Sequence, residues 1–214
     1  MDIILFGMQG SGKGTLGKII AEKYGLEIFE TGGQLRKLSQ EDSELGRKVK
    51  SIVEAGHLVP NEVVMDIIEN FMKHLAPGKN VLFDGIPRKM EQAESFNALM
   101  QKLGRSYIGL LIEITEGIAL KRLSARRVCK NCKTVFPAFY TKENCEKCGG
   151  NLETRSDDNP ASIRRRLDAF YQETVPVIQK YQEEKKIITI NGDQSIENVA
   201  KETAVTLEKN NLLL

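Results

Sequence analysis

Residues 7–15, with the sequence GMQGSGKGT, decide the fold of this chain. They follow the short apolar run IILF at residues 3–6 and precede an amphipathic run over residues 16–24. Glycines let successive backbone N–H groups turn inward around phosphate oxygens, and the start of a helix adds a partial positive charge at the same point. Lys13 is then placed to reach the β- and γ-phosphates of a nucleotide. The order of strand, glycine-rich loop, Lys13 and helix therefore predicts a P-loop rather than an ordinary turn with a solvated lysine.

The composition is that of a globular protein with nearly balanced charge. The 214 residues suffice for one domain, or for one core with insertions. Lys and Arg number 31 and Asp and Glu 29, and a net charge of +2 does not imply a general surface for nucleic acid. No apolar run approaches the length of a membrane helix, and the first residues lack the basic region and long apolar run of a signal peptide. We therefore expect a cytoplasmic protein that contacts neither nucleic acid nor membrane.

Strand-like and helix-like patterns alternate along the chain. Apolar, β-branched runs occur at residues 3–6, 80–83, 107–114 and 187–190, and each is followed by a helical period. Clear helical periods cover residues 62–75, 160–184, in which Pro176 should introduce a kink, and 195–209. This alternation predicts an α/β fold with a mostly parallel sheet covered by helices on both faces. In such sheets ligands bind beyond the carboxyl ends of the strands, where the glycine-rich loop and Asp84 both lie.

Two segments interrupt this alternation and are predicted to be insertions into the core. Residues 31–59 have the pattern of helix, turn and helix, with little strand character. Residues 128–155 contain all four cysteines and have the pattern of loops and short strands.

The cysteines form two Cys-x-x-Cys pairs, which are Cys129 with Cys132 and Cys145 with Cys148. Each pair can direct both sulfur atoms to one point from a tight turn, and Gly149-Gly150 suits such a turn after the second pair. Four thiolates complete a tetrahedral Zn²⁺ shell with no open position, so we predict one structural zinc ion. Iron–sulfur ligation, a redox dithiol and four unrelated free thiols are the alternatives.

Residues 81–88, VLFDGIPR, place Asp84 at the end of an apolar strand. A carboxylate at this point suits Mg²⁺, which usually keeps several of its waters and needs few protein ligands. An aspartate that only caps the strand is the alternative.

With these motifs the chain resembles the adenylate kinase family, in its long bacterial type. The Gly-Lys-Gly-Thr sequence at residues 12–15 is characteristic of nucleoside monophosphate kinases, and DGIPR at residues 84–88 differs from the family's Asp-Gly-Phe-Pro-Arg only at Ile86. The cysteine pairs lie between Arg126-Arg127 and RSDD at residues 155–158, as in the family's zinc-binding lid. The resemblance covers essentially the whole chain. It implies a P-loop NTPase-like core (residues 1–29, 60–121 and 160–214), a helical AMP-binding insertion (30–59) and a small zinc-ribbon lid (122–159).

The resemblance also implies a role for each matching residue. The residues implied to contact ATP are Gly10, Ser11, Gly12, Lys13, Gly14, Thr15, Arg122, Arg126, Val135, Phe136 and Gln194. The residues implied to contact AMP are Thr31, Arg36, His57, Leu58, Val59, Gly85, Ile86, Pro87, Arg88, Gln92, Arg155 and Arg166. The catalytic set is Lys13, Asp84, Arg88, Arg122, Arg126, Arg155 and Arg166. The family usually has Pro where Gln9 stands and Asp where Gly33 stands. Because glycine at position 33 cannot accept backbone N–H bonds with a side chain and Gly32-Gly33 is flexible, we expect a less preorganised AMP-binding insertion here.

These implications describe a monomeric, Mg²⁺-dependent ATP:AMP phosphotransferase that interconverts ATP plus AMP and two molecules of ADP, and so maintains the balance of adenine nucleotides. A kinase for another nucleoside monophosphate is the nearest alternative, although Thr31 and Gln92 favour adenine. The alternative from another class is a nucleotide-regulated module that binds nucleic acid through the zinc ribbon. Its basic and aromatic residues would be Lys130, Lys133, Lys142, Lys147, Phe136, Phe139 and Tyr140. The near-neutral charge and the DGIPR segment argue against that alternative.

Overall fold

A five-stranded parallel sheet forms the centre of the protein, which the computed structural model describes over residues 1–136 and 140–212. Phe139, one of the aromatic residues considered for nucleic-acid binding, lies outside these ranges. The strands are β1 (Asp2–Phe6), β2 (Glu27–Glu30), β3 (Val81–Asp84), β4 (Tyr107–Glu113) and β8 (Ile187–Asn191). Their order across the sheet is β2-β3-β1-β4-β8, and every neighbouring pair is parallel. The predicted α/β class with a parallel sheet is therefore confirmed.

Strand β2 was not predicted from the sequence, whereas the other four strands begin and end within one residue of their predicted bounds. Its sequence, Glu-Ile-Phe-Glu, contains only one fully buried side chain, that of Phe29. β2 lies at the edge of the sheet and pairs with β3 on one side. Its two glutamates interrupt the apolar run by which the other four strands could be recognised.

Helices cover both faces of the sheet, as the alternating pattern predicted. They are α1 (Lys13–Tyr24), α2 (Thr31–Leu38), α3 (Glu44–Glu54), α4 (Asn61–Lys73), α5 (Met90–Lys102), α6 (Glu116–Ser124), α7 (Pro160–Ala169), α8 (Val175–Glu183) and α9 (Ile196–Lys209). Successive residues of β1 pack into two different apolar clusters. Ile3 and Leu5 pack with α1 and α9, whereas Ile4 and Phe6 belong to the larger cluster on the opposite face. No helix within the described residues is long and apolar enough to cross a membrane.

The long helical period at residues 160–184 is interrupted close to Pro176, as predicted. A five-residue π-helical segment, Phe170–Thr174, separates α7 from α8, and Pro176 occupies the first turn of α8. Proline has no N–H to donate to the preceding turn, which accounts for a break in the regular bonding at this point.

Both predicted insertions have the expected character. The first contains α2 and α3, and its end is tied to α7 because the Ser162 hydroxyl donates to the carbonyl of Glu54 at 2.9 Å. The second contains a separate three-stranded antiparallel sheet of β5 (Arg127–Cys129), β6 (Val135–Phe136) and β7 (Leu152–Glu153), with β5 in the middle. A short 3₁₀ turn, Ser156–Asp158, joins this ribbon to α7.

Candidate active site

The glycine-rich loop between β1 and α1 has a backbone that favours glycine at three positions. Gly7, Gly10 and Gly12 have φ values of 141°, 86° and 95°. A Cβ on Gly7 would also lie 2.5 Å from the carbonyl oxygen of Ile112, so this position excludes a side chain by contact. Gly12 immediately precedes α1, whose first N–H groups have no partner within the helix. The loop therefore directs backbone donors and the positive end of a helix to one point, as phosphate binding requires.

Lys13 lies against the carbonyl groups of this loop. Its Nζ donates to the carbonyl oxygens of Gly7 at 2.6 Å and Met8 at 2.9 Å. Burial lowers the pKa of Lys13 to about 8, although the charge of Asp84 acts in the opposite direction. An anionic phosphate at the loop would stabilise the charged form of this buried amine.

Asp84 ends β3 at the same edge of the sheet, next to the loop that follows β1. Burial raises the pKa of Asp84, and the charge of Lys13 opposes that effect. The neighbouring carboxylate of Glu30 raises the Asp84 pKa further. Asp84 therefore places a carboxylate beside the glycine-rich loop. The sequence predicted a residue at this position that binds Mg²⁺ next to the nucleotide phosphates.

The segment after Asp84 fixes Arg88 in the same cleft as Lys13. Gly85 has a φ of 89°, and a Cβ there would lie 2.7 Å from Nη2 of Arg88. Arg88 Nε donates to the Gly85 carbonyl at 2.9 Å, and its backbone N–H donates to Oε1 of Gln92 at 2.9 Å. Thr174 adds a bond from its hydroxyl to the Arg88 carbonyl at 3.0 Å. These bonds hold the backbone of Arg88 and direct its guanidinium along the cleft.

Two buried aspartates hold two of the predicted arginines. Arg126 donates through Nε and Nη2 to both oxygens of Asp158, at 2.8 and 2.6 Å. Arg166 Nη1 donates to Oδ2 of Asp157 at 2.8 Å and to Oδ1 of Asp158 at 3.2 Å. The Nε of Arg166 is buried and has no hydrogen-bond partner among the described residues. Burial and, to a smaller extent, the charge of Arg126 together lower the pKa of Arg155 to about 10.

The structure brings most of the predicted catalytic residues into one electrostatic cluster. Asp84, Arg88, Arg126 and Arg166 all lie close enough to Lys13 to influence its pKa, and Arg126 influences that of Arg155. Arg122 approaches the glycine-rich loop from α6, where its guanidinium lies 3.5 Å from the Gly10 carbonyl and donates to the Gly192 carbonyl at 3.1 Å. Cations outnumber carboxylates in this cluster, so an anionic ligand such as a phosphate would offset the excess positive charge.

Some of the residues predicted to bind AMP lie on α2, and others lie in the segment that follows α3. Thr31 begins α2, and its buried hydroxyl has no hydrogen-bond partner among the described residues. Arg36 forms an ion pair of 2.8 Å with Glu30. After α3, His57 is exposed and Leu58 is partly buried, whereas Val59 packs into the larger core cluster.

The remaining residues predicted to bind ATP lie on the ribbon and after β8. Phe136 is buried with Cys129 and Cys145 and packs against the Tyr140 ring at 4.3 Å, so its side chain belongs to the ribbon's own core. Its neighbour Val135 is partly buried. Gln194 donates to the Asn191 carbonyl at 2.8 Å.

Carboxylates that hold the arginines were the main feature that the sequence did not reveal. In the sequence, Asp157 and Asp158 are visible only as part of the RSDD motif, and no sequence signal marks Glu30. Recognition of β2 would have pointed to Glu30. Glu30 ends β2, and Asp84 ends the neighbouring parallel strand β3 directly opposite it.

The four cysteines meet at one end of the ribbon. Their Sγ atoms all lie within 4.8 Å of one another, with Cys129 to Cys148 at 3.4 Å and Cys132 to Cys145 at 3.5 Å. Gly149 has a φ of 71°, and its N–H donates to the Cys145 carbonyl at 2.8 Å, which closes the tight turn of the second pair.

The environment of these thiols favours a metal site. Hydrogen bonding with Thr134 lowers the pKa of Cys132 to about 6, which favours the thiolate form that binds metals. A backbone bond with Gly150 lowers the pKa of Cys148, but hydrogen bonds with the other thiols outweigh it and raise the value to about 11, so the close approach of the four sulfur atoms is the stronger indication of a metal site. A Cβ on Gly150 would lie 3.0 Å from Sγ of Cys129, so glycine leaves room for the sulfur cluster. The described residues therefore contain a four-cysteine group that could hold a metal ion.

A P-loop at the carboxyl edge of a parallel sheet, with arginines around it, defines a P-loop nucleotide-binding protein. The sequence model of the family described as adenylate kinase matches residues 5–186. The chain is 39% identical over 213 residues to an adenylate kinase of Kosmotoga olearia, with 97% of this chain and 99% of the relative covered. It is 36% identical to adenylate kinases of Archaeoglobus fulgidus, over 98% of this chain and 99% of the relative, and of Bacillus cytotoxicus, over 93% and 94%.

The chain belongs to the adenylate kinase family. Both the match of the family model and the relatives above cover most of the chain, including the ribbon with its four cysteines.

Proposed function

We propose that this protein catalyses reversible transfer of the γ-phosphoryl group of ATP to AMP, which gives two molecules of ADP and maintains the balance of adenine nucleotides. One observation carries the proposal. Lys13, Arg88 and Arg166 converge with Asp84 at the carboxyl edge of the sheet, within electrostatic reach of one another. Membership of the adenylate kinase family supports ATP and AMP as the two substrates.

The chemistry needs fixed positive charge more than it needs proton transfer. The phosphate of AMP is already an anion, so it attacks without a general base. During transfer, negative charge spreads over the equatorial oxygens of the moving phosphoryl group. Lys13, Arg88 and Arg166 are held beside that position by backbone and carboxylate groups. Because Arg166 is buried and Lys13 and Arg88 are partly buried, their attraction for developing charge is stronger than it would be in water.

Each insertion serves one nucleotide in this proposal. The core comprises residues 1–29, 60–121 and 160–214, and its glycine-rich loop binds the ATP phosphates. The insertion at residues 30–59 binds AMP through Thr31 and Arg36, together with Arg88 of the core. The lid at residues 122–159 brings Arg126 and Arg155 over ATP. Closure of both insertions excludes water and so prevents hydrolysis in place of transfer.

Two metal ions fit the residues present. Asp84 would hold Mg²⁺ on the side of the ATP phosphates, where the ion supplies additional positive charge. Cys129, Cys132, Cys145 and Cys148 would hold Zn²⁺. Four thiolates leave no open coordination position, so zinc would stabilise the lid and take no part in the transfer.

We further propose that the enzyme acts as a monomer in the cytoplasm and has no nucleic-acid partner. All the charged groups assigned to the reaction come from a single chain. The near-neutral overall charge supports small nucleotides as its ligands.

A coupled assay for ADP tests the proposed function. The purified protein should form ADP from ATP and Mg²⁺ only when AMP is present, and Lys13→Met should remove most of that activity. A panel of AMP, GMP, CMP and UMP tests the acceptor. Faster phosphorylation of CMP or UMP than of AMP would replace the proposal by a kinase for another monophosphate.

A further inference from the structure

Glu30 is an acidic residue at the acceptor side of the site that the proposed function does not use. It is the last residue of β2 and lies directly opposite Asp84 in the parallel pairing of β2 with β3. The helix α2 begins at the next residue, Thr31. Glu30 therefore stands at the carboxyl edge of the sheet, where the ligands of this fold class bind.

The Glu30 carboxylate lies across the first turn of α2 and pairs with Arg36. Its Oε1 accepts a hydrogen bond from Nη2 of Arg36 at 2.8 Å. A Cβ on Gly33 would lie 3.3 Å from the other carboxylate oxygen of Glu30. A Cβ on Gly32 would lie 3.1 Å from Nη1 of Arg36. The two glycines thus leave space over the helix for the ion pair.

Gly33 itself has ordinary helical backbone and does not belong to the glycines with positive φ. No backbone strain therefore requires glycine at this position. A carboxylate at position 33 would instead meet the carboxylate of Glu30, because the two would share the same space over α2. Glu30 supplies from the end of β2 the negative charge that position 33 lacks.

The charge environment explains why Arg36 needs a partner. Burial lowers the pKa of both Arg88 and Arg155, and the charge of Arg36 lowers each of them further. Arg36 therefore repels the other guanidinium groups of the cluster when no phosphate lies between them. Glu30 offsets this repulsion, and it uses only one of the nitrogens of Arg36. The remaining donors of the guanidinium are left for a phosphate.

We propose that Glu30 is a positioning residue, which holds Arg36 in the orientation that receives the phosphate of the acceptor nucleotide. This role rests on the proposed function, since it assigns the acceptor site to AMP. The ion pair persists when AMP binds, because Arg36 donates to Glu30 and to the phosphate through different nitrogens.

Removal of the Glu30 carboxylate should change the affinity for AMP in one direction if Glu30 positions Arg36, and in the other direction if Glu30 acts only through its negative charge. A carboxylate near an anionic ligand repels it, so loss of that charge alone would tighten AMP binding. Loss of positioning weakens AMP binding, because Arg36 must then be ordered at the expense of binding energy. The two explanations predict opposite changes.

The test compares wild type with Glu30→Gln, with Glu30→Gln/Gly33→Asp and with Glu27→Gln as the matched control. Glu27 is exposed at the opposite end of the same short strand. AMP is titrated calorimetrically, and KM for AMP, KM for ATP and kcat are measured at saturating concentrations of the second substrate. Glu30→Gln should weaken AMP about three- to fivefold, the upper range for a half-exposed ion pair, with little change in kcat or in KM for ATP. The double variant should recover most of the loss, because its second substitution restores a carboxylate over the same turn.

Unchanged or tighter AMP binding by Glu30→Gln would overturn the positioning role while leaving the proposed function intact. Equal loss in Glu27→Gln, or a fall in kcat that matches the loss of affinity, would also overturn it. A wild-type protein that binds no AMP would overturn the proposed function together with this inference.

Discussion

Arg126 and Asp158 form a two-point ion pair in which both carboxylate oxygens accept hydrogen bonds from one guanidinium, at 2.8 and 2.6 Å. The side chain of Asp158 is fully buried, and one of the same oxygens also receives a bond from Arg166 at 3.2 Å. One carboxylate thus holds two of the arginines that we propose act on the nucleotide phosphates.

Asp158→Asn should lower both activity and stability. The amide keeps the shape of the side chain but removes the charge that offsets two buried cations. Breaking a buried ion pair in this way costs about 3–5 kcal/mol. We expect at least about a tenfold fall in kcat/KM, together with a lower melting temperature, measured by steady-state kinetics and thermal denaturation.

Glu116→Gln is the control for that prediction. Glu116 pairs with Arg164 at 3.0 Å on the surface, where the two side chains are 36% and 63% exposed. An exposed pair contributes about 0–1 kcal/mol, so this variant should resemble wild type. Equal effects of the two substitutions would show that burial of the Asp158 cluster is unimportant.

Lys13→Met should lower kcat by at least about a hundredfold, because it removes a preorganised charge from the site of transfer. The melting temperature should not fall, since methionine fills a similar volume without the cost of a buried ammonium group. Near-normal turnover, or a large loss of folded protein, would contradict this assignment.

The lowered pKa of Lys13 predicts proton uptake when ATP binds. The pKa in the folded protein is about 8, below the ordinary value of 10.5, so about half of the amines are neutral at pH 8. Phosphate oxygens favour the charged amine and raise its pKa, so ATP binding at this pH should take up as much as about half a proton. Titration calorimetry in two buffers with different ionisation enthalpies measures this quantity.

Lys13→Met provides the control for the proton measurement. The variant should show no uptake at pH 8, and uptake by wild type should decline towards pH 6, where the amine is already charged. Equal uptake by the variant would assign the proton to another group.

Gly7→Ala should destabilise the protein and abolish most activity. The position combines a φ of 141° with a Cβ that would lie 2.5 Å from a backbone oxygen of β4. Gly117→Ala in α6 is the matched control, since no atom lies within 4 Å of its Cβ. That change should raise stability by up to about 1 kcal/mol, because alanine favours helix. Thermal and urea denaturation of both variants checks the difference in sign.

Elemental analysis should find about one zinc ion for each chain of native protein. Thiolate zinc sites in small modules contribute roughly 10–16 kcal/mol of apparent binding energy, so removing the metal should lower the melting temperature clearly. Cys145→Ser should lose the metal, whereas Lys147→Ala, an exposed change in the same turn, should retain it. Bound iron, or a native protein without metal, would rule out the zinc site.

The glycine-rich loop and the other four strands of the main sheet could be predicted from sequence because their signals are local. β2 could not, since its two glutamates leave only Ile28 and Phe29 as an apolar run. The other edge strand, β8, was predictable because its sequence Ile-Ile-Thr-Ile is apolar and β-branched although only Ile190 is buried.

The electrostatic partners were missed for a different reason. Asp158 meets Arg126 across 32 positions of the chain, so their pairing depends on how the ribbon returns to the core. Gly33 could be recognised as a departure from the family, but its explanation needed the position of the Glu30 side chain over α2.

The hydrogen bond from Ser162 to the carbonyl of Glu54 connects α7 with the end of the first insertion. This helix begins two residues after Asp158, which holds Arg126. It carries Arg166, and it anchors the end of the first insertion. The groups that the proposed function assigns to the two nucleotides are therefore joined through one helix. Any change in affinity that one nucleotide causes at the other site must, by thermodynamic reciprocity, be matched by an equal change in return.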